Sequence, residues 1–398
     1  MTRSASDPEQ KADEARAVLA HVRAMRDEFV EFLSRLANLE SPTDNPETQA
    51  PVQALLGSAL EDLGYETRII PGRGTGGHLY ARPARRSRGT PAQMLVGHTD
   101  TVWPIGTLEQ MPVEVVDGRL HGPGTLDMKG GLTQIVFALR ALRALGLEPA
   151  ATPVVFMNSD EEVGSPDSKR YVRKLSRRAC RAFVLEPALG PDARIKTARK
   201  GIGRFEVTIR GRASHAGLDP EAGASAIVEL SHVIQLMHAL NDPERGTTVN
   251  VGVIDGGIRP NVVAAAARAS VDVRVRTMDD ARAIEAAVAG FRPTTPGVEL
   301  EFTGGVAVPP MERTPRNRAL WAATRSAGAD LGFELEEGMA GGGSDGNTTS
   351  QFTATIDGLG CIGAGAHAEH EHIEIDPSVD RCALLAQLLR VPPDATSR

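Results

Sequence analysis

Gly97-His98-Thr99-Asp100-Thr101-Val102 follows the apolar run Met94-Leu95-Val96. A strand that ends here presents His98 and Asp100 on one face, because side-chain direction alternates with period two. An imidazole is a metal ligand, and a nearby carboxylate can take its other ring N–H and fix tautomer and direction. Read alone, the stretch is more simply a strand-end turn with a solvated aspartate. Candidates of the same kind recur along the chain. Asp127 lies in the Gly-rich stretch from Leu120 to Gly131, at the mouth of the helical pattern Leu132 to Leu145, where an N-cap is the commoner role for an aspartate. Glu161 and Glu162 follow the apolar run Val154 to Asn158, and Glu186 follows Ala182 to Leu185. His367, His370 and His372 cluster near the end of the chain. Two histidines and three carboxylates suit two divalent ions that share one bridging carboxylate. Nitrogen ligands favour zinc over magnesium or calcium. Adjacent glutamates on an irregular turn can divide the work, one binding metal and one moving protons, although acidic pairs are also ordinary on solvated turns.

The elements that must position these groups follow from hydrophobic periodicity. Apolar residues at helical spacing from about Glu9 to Leu39 predict one long amphipathic helix, and Val52 to Leu63 a second. Strand and helix then alternate, which predicts an α/β sheet whose ligands bind beyond the carboxyl ends of the strands. The acidic candidates all fall at such ends. From Gly201 to Pro310 the order becomes β-α-β-β-α-β, a ferredoxin-like unit complete in itself, read here as an inserted domain. The α/β pattern returns with a helix from Arg316 to Leu331 and closes with one from about Pro377 to Leu389. The expected division is therefore 1–200 with 311–398 as one discontinuous domain and 201–310 as the insert, with hinges at Lys200-Gly201 and Pro309-Pro310.

Composition narrows the classes of function. The 398 residues are 41% apolar and 24% charged, with 44 basic and 51 acidic side chains for a formal charge of −7. No concentrated basic run tracks a phosphate backbone, so nucleic acid is not an expected partner. No window approaches the ~20 apolar residues of a membrane span, and the opening MTRSASDPEQKADEARAV lacks an apolar targeting core. A cytoplasmic protein is expected. Cys180, Cys361 and Cys382 are odd in number and show no CxxC spacing, which leaves His and carboxylate as the available metal ligands.

Taken in order, GHTDTV, GPGTLDMKGG, NSDEEVGS, LEP, SHAG, GGGSD and GAGAH resemble the motifs of the cocatalytic zinc metallopeptidases that include glutamate carboxypeptidase, aminoacylase, acetylornithine deacetylase and succinyl-diaminopimelate desuccinylase. The resemblance spans nearly the whole chain. It implies a zinc-peptidase-like α/β/α catalytic domain, an inserted dimerisation or lid domain, and two zinc ions per subunit, with cobalt or manganese as substitutes. It implies that His98 and Glu186 serve one ion, Glu162 and His367 the other, and that Asp127 bridges them, with His370 and His372 as bystanders. Asp100 becomes the group that orients His98, and Glu161 the general base. His215 of the SHAG loop would stabilise the oxyanion across a homodimer, and Arg274, Asn261, Gly342 and Gly343 would hold the substrate carboxylate. An Asp127–Met128 cis peptide is implied as well. The expected reaction is hydrolysis of an amide next to a free carboxylate, as by a carboxypeptidase. A deacylase of N-acyl amino acids or a dipeptidase is the alternative on the same scaffold, and a non-catalytic binding protein the alternative from another class. One departure bears on specificity: Thr303 to Val308 carries no charge where the glutamate-cleaving members place a basic residue, which shifts the expected substrate toward a smaller or more apolar residue.

Overall fold

The computed structural model describes residues 8–85 and 89–393, so the opening stretch 1–7 read above lies outside it. The chain forms two compact units: Met1–Thr197 with Arg313–Ala340 and Ser344–Arg398, and Ala198–Glu312 with Gly341–Gly343.

The first unit is built on a six-stranded sheet of β1 (Tyr65–Ile70), β2 (His78–Pro83), β3 (Ala92–His98), β6 (Thr152–Asn158), β7 (Ala179–Val184) and β14 (Ala354–Ile356), in the order β1-β2-β6-β3-β7-β14. β6, β3, β7 and β14 are parallel, and β1 and β2 form an antiparallel edge. The central strands are buried along almost their whole length, as a sheet covered on both faces requires. Met94, Val96, Phe156 and Val184 pack with Val172 of α5 (Lys169–Ser176) on one face. Leu95, Val155, Met157 and Phe183 pack on the other with α4 (Gly130–Ala144), α10 (Ile375–Arg390) and the N-terminal helices. A small antiparallel sheet joins β4 (Glu114–Val116), β5 (Arg119–His121), β15 (Gly363–Ala364) and β16 (His372–Glu374), and β8 (Ile195–Arg199) pairs with β13 (Glu337–Ala340). These strands of two to five residues escaped the periodicity reading, because so short a run makes no clear pattern.

The long N-terminal helix is in fact two, α1 (Pro8–Ala24) and α2 (Arg26–Ala37), separated at Met25 with φ −91° and ψ 12°. Val18, Val22, Phe29, Phe32, Leu33 and Leu36 from both are buried in one core. The apolar period therefore runs through the break, and no Gly or Pro marks it. α4 is buried nearly all round, and its Phe137 meets Phe29 and Phe32 edge-on at 5.4 and 6.0 Å between centroids.

The second unit orders its strands β10 (Thr248–Gly256), β11 (Ala266–Val275), β9 (Gly201–Arg210) and β12 (Glu299–Val308), all antiparallel, with α6 (Ala226–His238) and α7 (Met278–Gly290) in the connections. This is the ferredoxin-like arrangement. β9 and β11 alternate buried and exposed residues, so Phe205, Val207, Ile209, Val271 and Val273 form the core with Leu230, Val233 and Ile284 of the helices. Ser225 and Thr277 cap α6 and α7 by accepting the N–H groups of Val228 and Asp280.

Phe137→Ala removes the ring that joins α4 to α2, and the expected loss is about 3–5 kcal/mol in urea unfolding. A loss under about 1 kcal/mol would show that this contact does not anchor α4.

Candidate metal centre

His98 closes β3 opposite Asn158, the last residue of β6, and is 1% exposed. Its Nδ1 donates to the Asp100 carbonyl at 2.9 Å, with the Asp100 carboxylate 3.5 Å away. Nε2 is thereby aimed at Asp127 Oδ1 (3.3 Å) and Glu186 Oε1 (3.7 Å). His367 approaches from the opposite side, its Nε2 lying 3.4 Å from Asp127 Oδ2 and 3.2 Å from Glu162 Oε2. Each oxygen of Asp127 therefore faces a different histidine. Of the three clustered histidines, His372 turns away: its Nδ1 donates to the His370 carbonyl at 2.8 Å, and its ring stacks on His121 at 5.0 Å.

Local structure explains these placements. Glu161 and Glu162 begin a single 3₁₀ turn after β6, and their N–H groups donate to the two oxygens of Asp100 at 3.3 and 3.2 Å. Thr43 Oγ1 donates to the same carboxylate at 2.8 Å. Asp100 thus holds the glutamate pair as well as facing His98. The Asp127–Met128 peptide is cis, the isomer that the resemblance implied. Gly131 lets the start of α4 approach the end of β7, since a Cβ there would lie 2.0 Å from the Leu185 carbonyl oxygen. That contact brings the Asp127 loop beside Glu186.

The donor set fits divalent ions. Ligand atoms of His98, Asp127 and Glu162 lie within 4.8 Å of one another, as do those of His98, Glu161 and Glu186. Glu162 Oε1 is buried without a hydrogen-bond partner, as a ligand atom awaiting a cation would be. The electrostatics show the same strain. Burial works against a charged His98, but hydrogen bonds to Asp100 and Asp127 prevail and hold its pKa well above the usual value. Hydrogen bonds to Asp127 and Glu162 raise His367 to about 10. For Asp127, burial is outweighed by the two histidines, which hold the carboxyl far below its usual range. Glu161 moves the other way, raised well above its usual value by burial and by the neighbouring Glu186.

The remaining sequence candidates lie in the second unit. His215 pairs with Val262 in an isolated bridge, and Ala216 N–H donates to the Asn261 carbonyl at 3.0 Å, so these two loops adjoin. Arg274 sits within β11, an interior strand, and its guanidinium meets Asp272 at 2.9 and 3.0 Å. Gly342 and Gly343 offer their carbonyls to Arg199 at 3.1 and 3.0 Å. Sequence reasoning missed Glu371, Asp345 and Lys129, all buried. Asp345 accepts from Asn158 (2.7 Å) and Ser165 (2.9 Å), and burial raises it to about 6. Its position in the GGGSD motif was the available signal.

Fold and site together define a metal-dependent hydrolase of α/β architecture with an added ferredoxin-like domain. The chain belongs to peptidase family M20/M25/M40, which residues 94–391 match. It is similar to carboxypeptidase G2 of a Pseudomonas species, 27% identical over 371 residues that cover 90% of this chain and 88% of that protein. Acetylornithine deacetylase of Myxococcus xanthus is 36% identical over 210 residues, 50% of this chain and 53% of that one. Among solved structures, aminopeptidase PepT from Bacillus cereus matches with a TM-score of 0.80 over 92% of this chain and 98% of its own, at 23% identity. A dinuclear metal-binding M20 peptidase from Bacillus subtilis matches with a TM-score of 0.67 over 93% and 99%, at 16% identity. The last two are likenesses of fold.

Hydrogen bonds to carboxylates raise the pKa of both histidines, that of His367 to about 10. A metal ion must displace their protons, so its affinity rises as pH rises from about 6 to about 9. Calorimetry in buffers of different ionisation enthalpy should register the proton release. Affinity that does not change across that range contradicts the protonated state described here.

Proposed function

We propose that the chain is a dinuclear zinc hydrolase that cleaves an amide bond next to a free carboxylate, releasing a C-terminal amino acid. The observation that carries this reading is the Asp127 carboxylate, one oxygen toward His98 and the other toward His367. In this reading His98 and Glu186 would hold one ion, Glu162 and His367 the other, and Asp127 would serve both. Mixed nitrogen and oxygen ligands favour zinc, with cobalt or manganese as substitutes. Such ions polarise the amide carbonyl and acidify water.

Glu161 stands beside this pair, on the turn that Asp100 clamps. Its raised pKa suits a group that takes a proton from the attacking water and returns it to the leaving amine nitrogen. His215 Nδ1 accepts the N–H groups of Gly217 and Leu218 at 3.2 and 3.1 Å. Its ring proton is therefore on Nε2, a donor suited to the carbonyl oxygen as that oxygen gains charge. Arg274 and Asn261, with the N–H groups of Gly342 and Gly343, hold the substrate carboxylate.

Specificity for glutamate is disfavoured. Beside the uncharged Thr303–Val308 stretch stands Glu285, whose Oε1 accepts Val306 N–H at 2.9 Å, so a second substrate carboxylate there meets a negative charge. The same feature favours, as second reading, a deacylase of N-acyl amino acids or a dipeptidase. The binding-protein alternative gives way to the enzyme reading, since the chain belongs to a family of peptidases.

A homodimer through the inserted domain follows from the same reading. β10 is an edge strand that exposes Val253 and Ile254, at 64% and 61%, with Ile258 beyond it at 83%. For location, no helix among the described residues is long and apolar enough to cross a membrane, and Cys180, Cys361 and Cys382 are buried without a disulfide. These features support a cytoplasmic enzyme.

Glu161→Ala should retain both metal ions while turnover falls by at least about 10³-fold, read by metal analysis and steady-state kinetics. Turnover near the wild-type rate would remove Glu161 as the base. On a panel of C-terminally varied dipeptides and N-acyl amino acids, small or apolar residues are expected to exceed glutamate in kcat/KM, and a glutamate preference would overturn the specificity. Ile254→Lys is expected to give a monomer in sedimentation that keeps its metal and loses turnover; an active monomer would refute the role of His215 across the dimer.

A further inference from the structure

Glu371 lies in the same tract as His367, is 1% exposed, and turns its carboxylate to backbone amides of the Asp127 loop. Its Oε1 accepts the N–H groups of Leu126 and Asp127 at 2.9 and 3.0 Å. Its Oε2 accepts Gly124 N–H at 2.9 Å and Trp103 Nε1–H at 2.7 Å. All four partners are donors, which suits an acceptor-only carboxylate, and they oppose the upward push that burial gives its pKa. The main chain adds a fifth link, since the Glu371 carbonyl accepts Gly122 N–H at 3.2 Å. The next residue, His372, opens β16 opposite His121 of β5.

Three separate arms of the site meet on this one side chain. Trp103 follows the strand end that carries His98 and Asp100, Gly124 to Asp127 form the loop of the shared carboxylate, and Glu371 itself follows His367 by four residues. Three backbone N–H groups of a single loop converge on one buried carboxyl group, which gives an irregular loop a common anchor.

We propose that Glu371 is a positioning residue: by holding the amides around Asp127, and Trp103 with them, it sets the Asp127 carboxylate at the place where it can serve two metal ions. This rests on the dinuclear reading above, which the metal stoichiometry of the unsubstituted protein tests separately. Glutamine is nearly isosteric with glutamate, yet its amide NH2 would face two N–H donors. Glu371→Gln therefore keeps the volume and destroys half of the acceptor set.

The test titrates full-length, metal-free protein with Zn²⁺ against a chromophoric chelator and with Co²⁺ by visible absorption. The unsubstituted protein is expected to bind two ions. In Glu371→Gln the weaker ion should lose about 10- to 100-fold in affinity, and the Co²⁺ absorption should shift. kcat should fall while KM stays within about twofold. Trp103→Phe, which removes one of the four donors, should shift the same affinity in the same direction by less than about tenfold. Two ions bound by Glu371→Gln at the original affinity, with an unchanged Co²⁺ spectrum, overturn the proposal even if that variant is less stable. Should Glu371→Gln fail to fold, Trp103→Phe decides, and an unchanged affinity for the weaker ion overturns the proposal. Fewer than two ions in the unsubstituted protein would sink the dinuclear reading and this inference together. A normal count of two with unaffected variants sinks this inference alone.

Discussion

The first unit has to keep a crowd of carboxylates together in a place that largely excludes water. Asp100, Asp127, Glu161, Glu162 and Glu186 meet at the carboxyl ends of three parallel strands, with the imidazoles of His98 and His367 among them. Like charges at such separations repel strongly where the dielectric is low. The chain's own answer is visible in how the protons are distributed. Asp127, held between two imidazoles, is pushed toward the ionised form, whereas Glu161, buried beside Glu186, is pushed toward the neutral one despite the nearby His98. Two carboxylates of nearly equal intrinsic acidity are thus driven apart by their neighbours, and that separation is what divides bound ligands from proton carriers in hydrolytic sites.

Two buried carboxylates hold the main chain around this arrangement. Asp100 receives two consecutive backbone N–H groups from the Glu161–Glu162 turn, and Glu371 receives three from the Asp127 loop. Each is a buried carboxylate satisfied by main-chain donors, which is how an irregular loop acquires a fixed shape without regular secondary structure. The glycine at 131 does the complementary work by allowing a helix to approach a strand end where any side chain would collide. Rigid parallel strands bring the loops near one another, and these donors set the final geometry.

The second unit meets a simpler demand, since its sheet has one covered face. Alternation along β9 and β11 separates a core of Val, Ile and Phe from an outer face that carries Asp272 and Arg274. The pairing of those two side chains is a direct result of period two within one strand. A guanidinium already held by an intrastrand carboxylate is fixed in direction, at the expense of part of its donor capacity.

Much of this was legible without coordinates. His98, Asp127, Glu162 and Glu186 announce themselves because each follows an apolar run or opens a helix, and strand ends are where α/β sheets bind ligands. The β-α-β-β-α-β order of the insert was equally readable, because strand alternation and helix periodicity are local properties of the chain. Other features were not local. The division between α1 and α2 at Met25 leaves the apolar period intact, so only the backbone reveals it. The ion pair of Arg274 with Asp272 appears only in the folded strand. Glu371 and the N–H groups it receives lie some 245 residues apart in sequence, and Asp100 lies about 60 from the pair it clamps. Residue type and spacing therefore determined which groups could do chemistry and on which elements they stand. Tertiary structure alone decided which oxygen faces which imidazole, which glutamate is driven toward its neutral form, and which charges hold the loops, because each depends on distances across the folded chain that sequence separation does not encode.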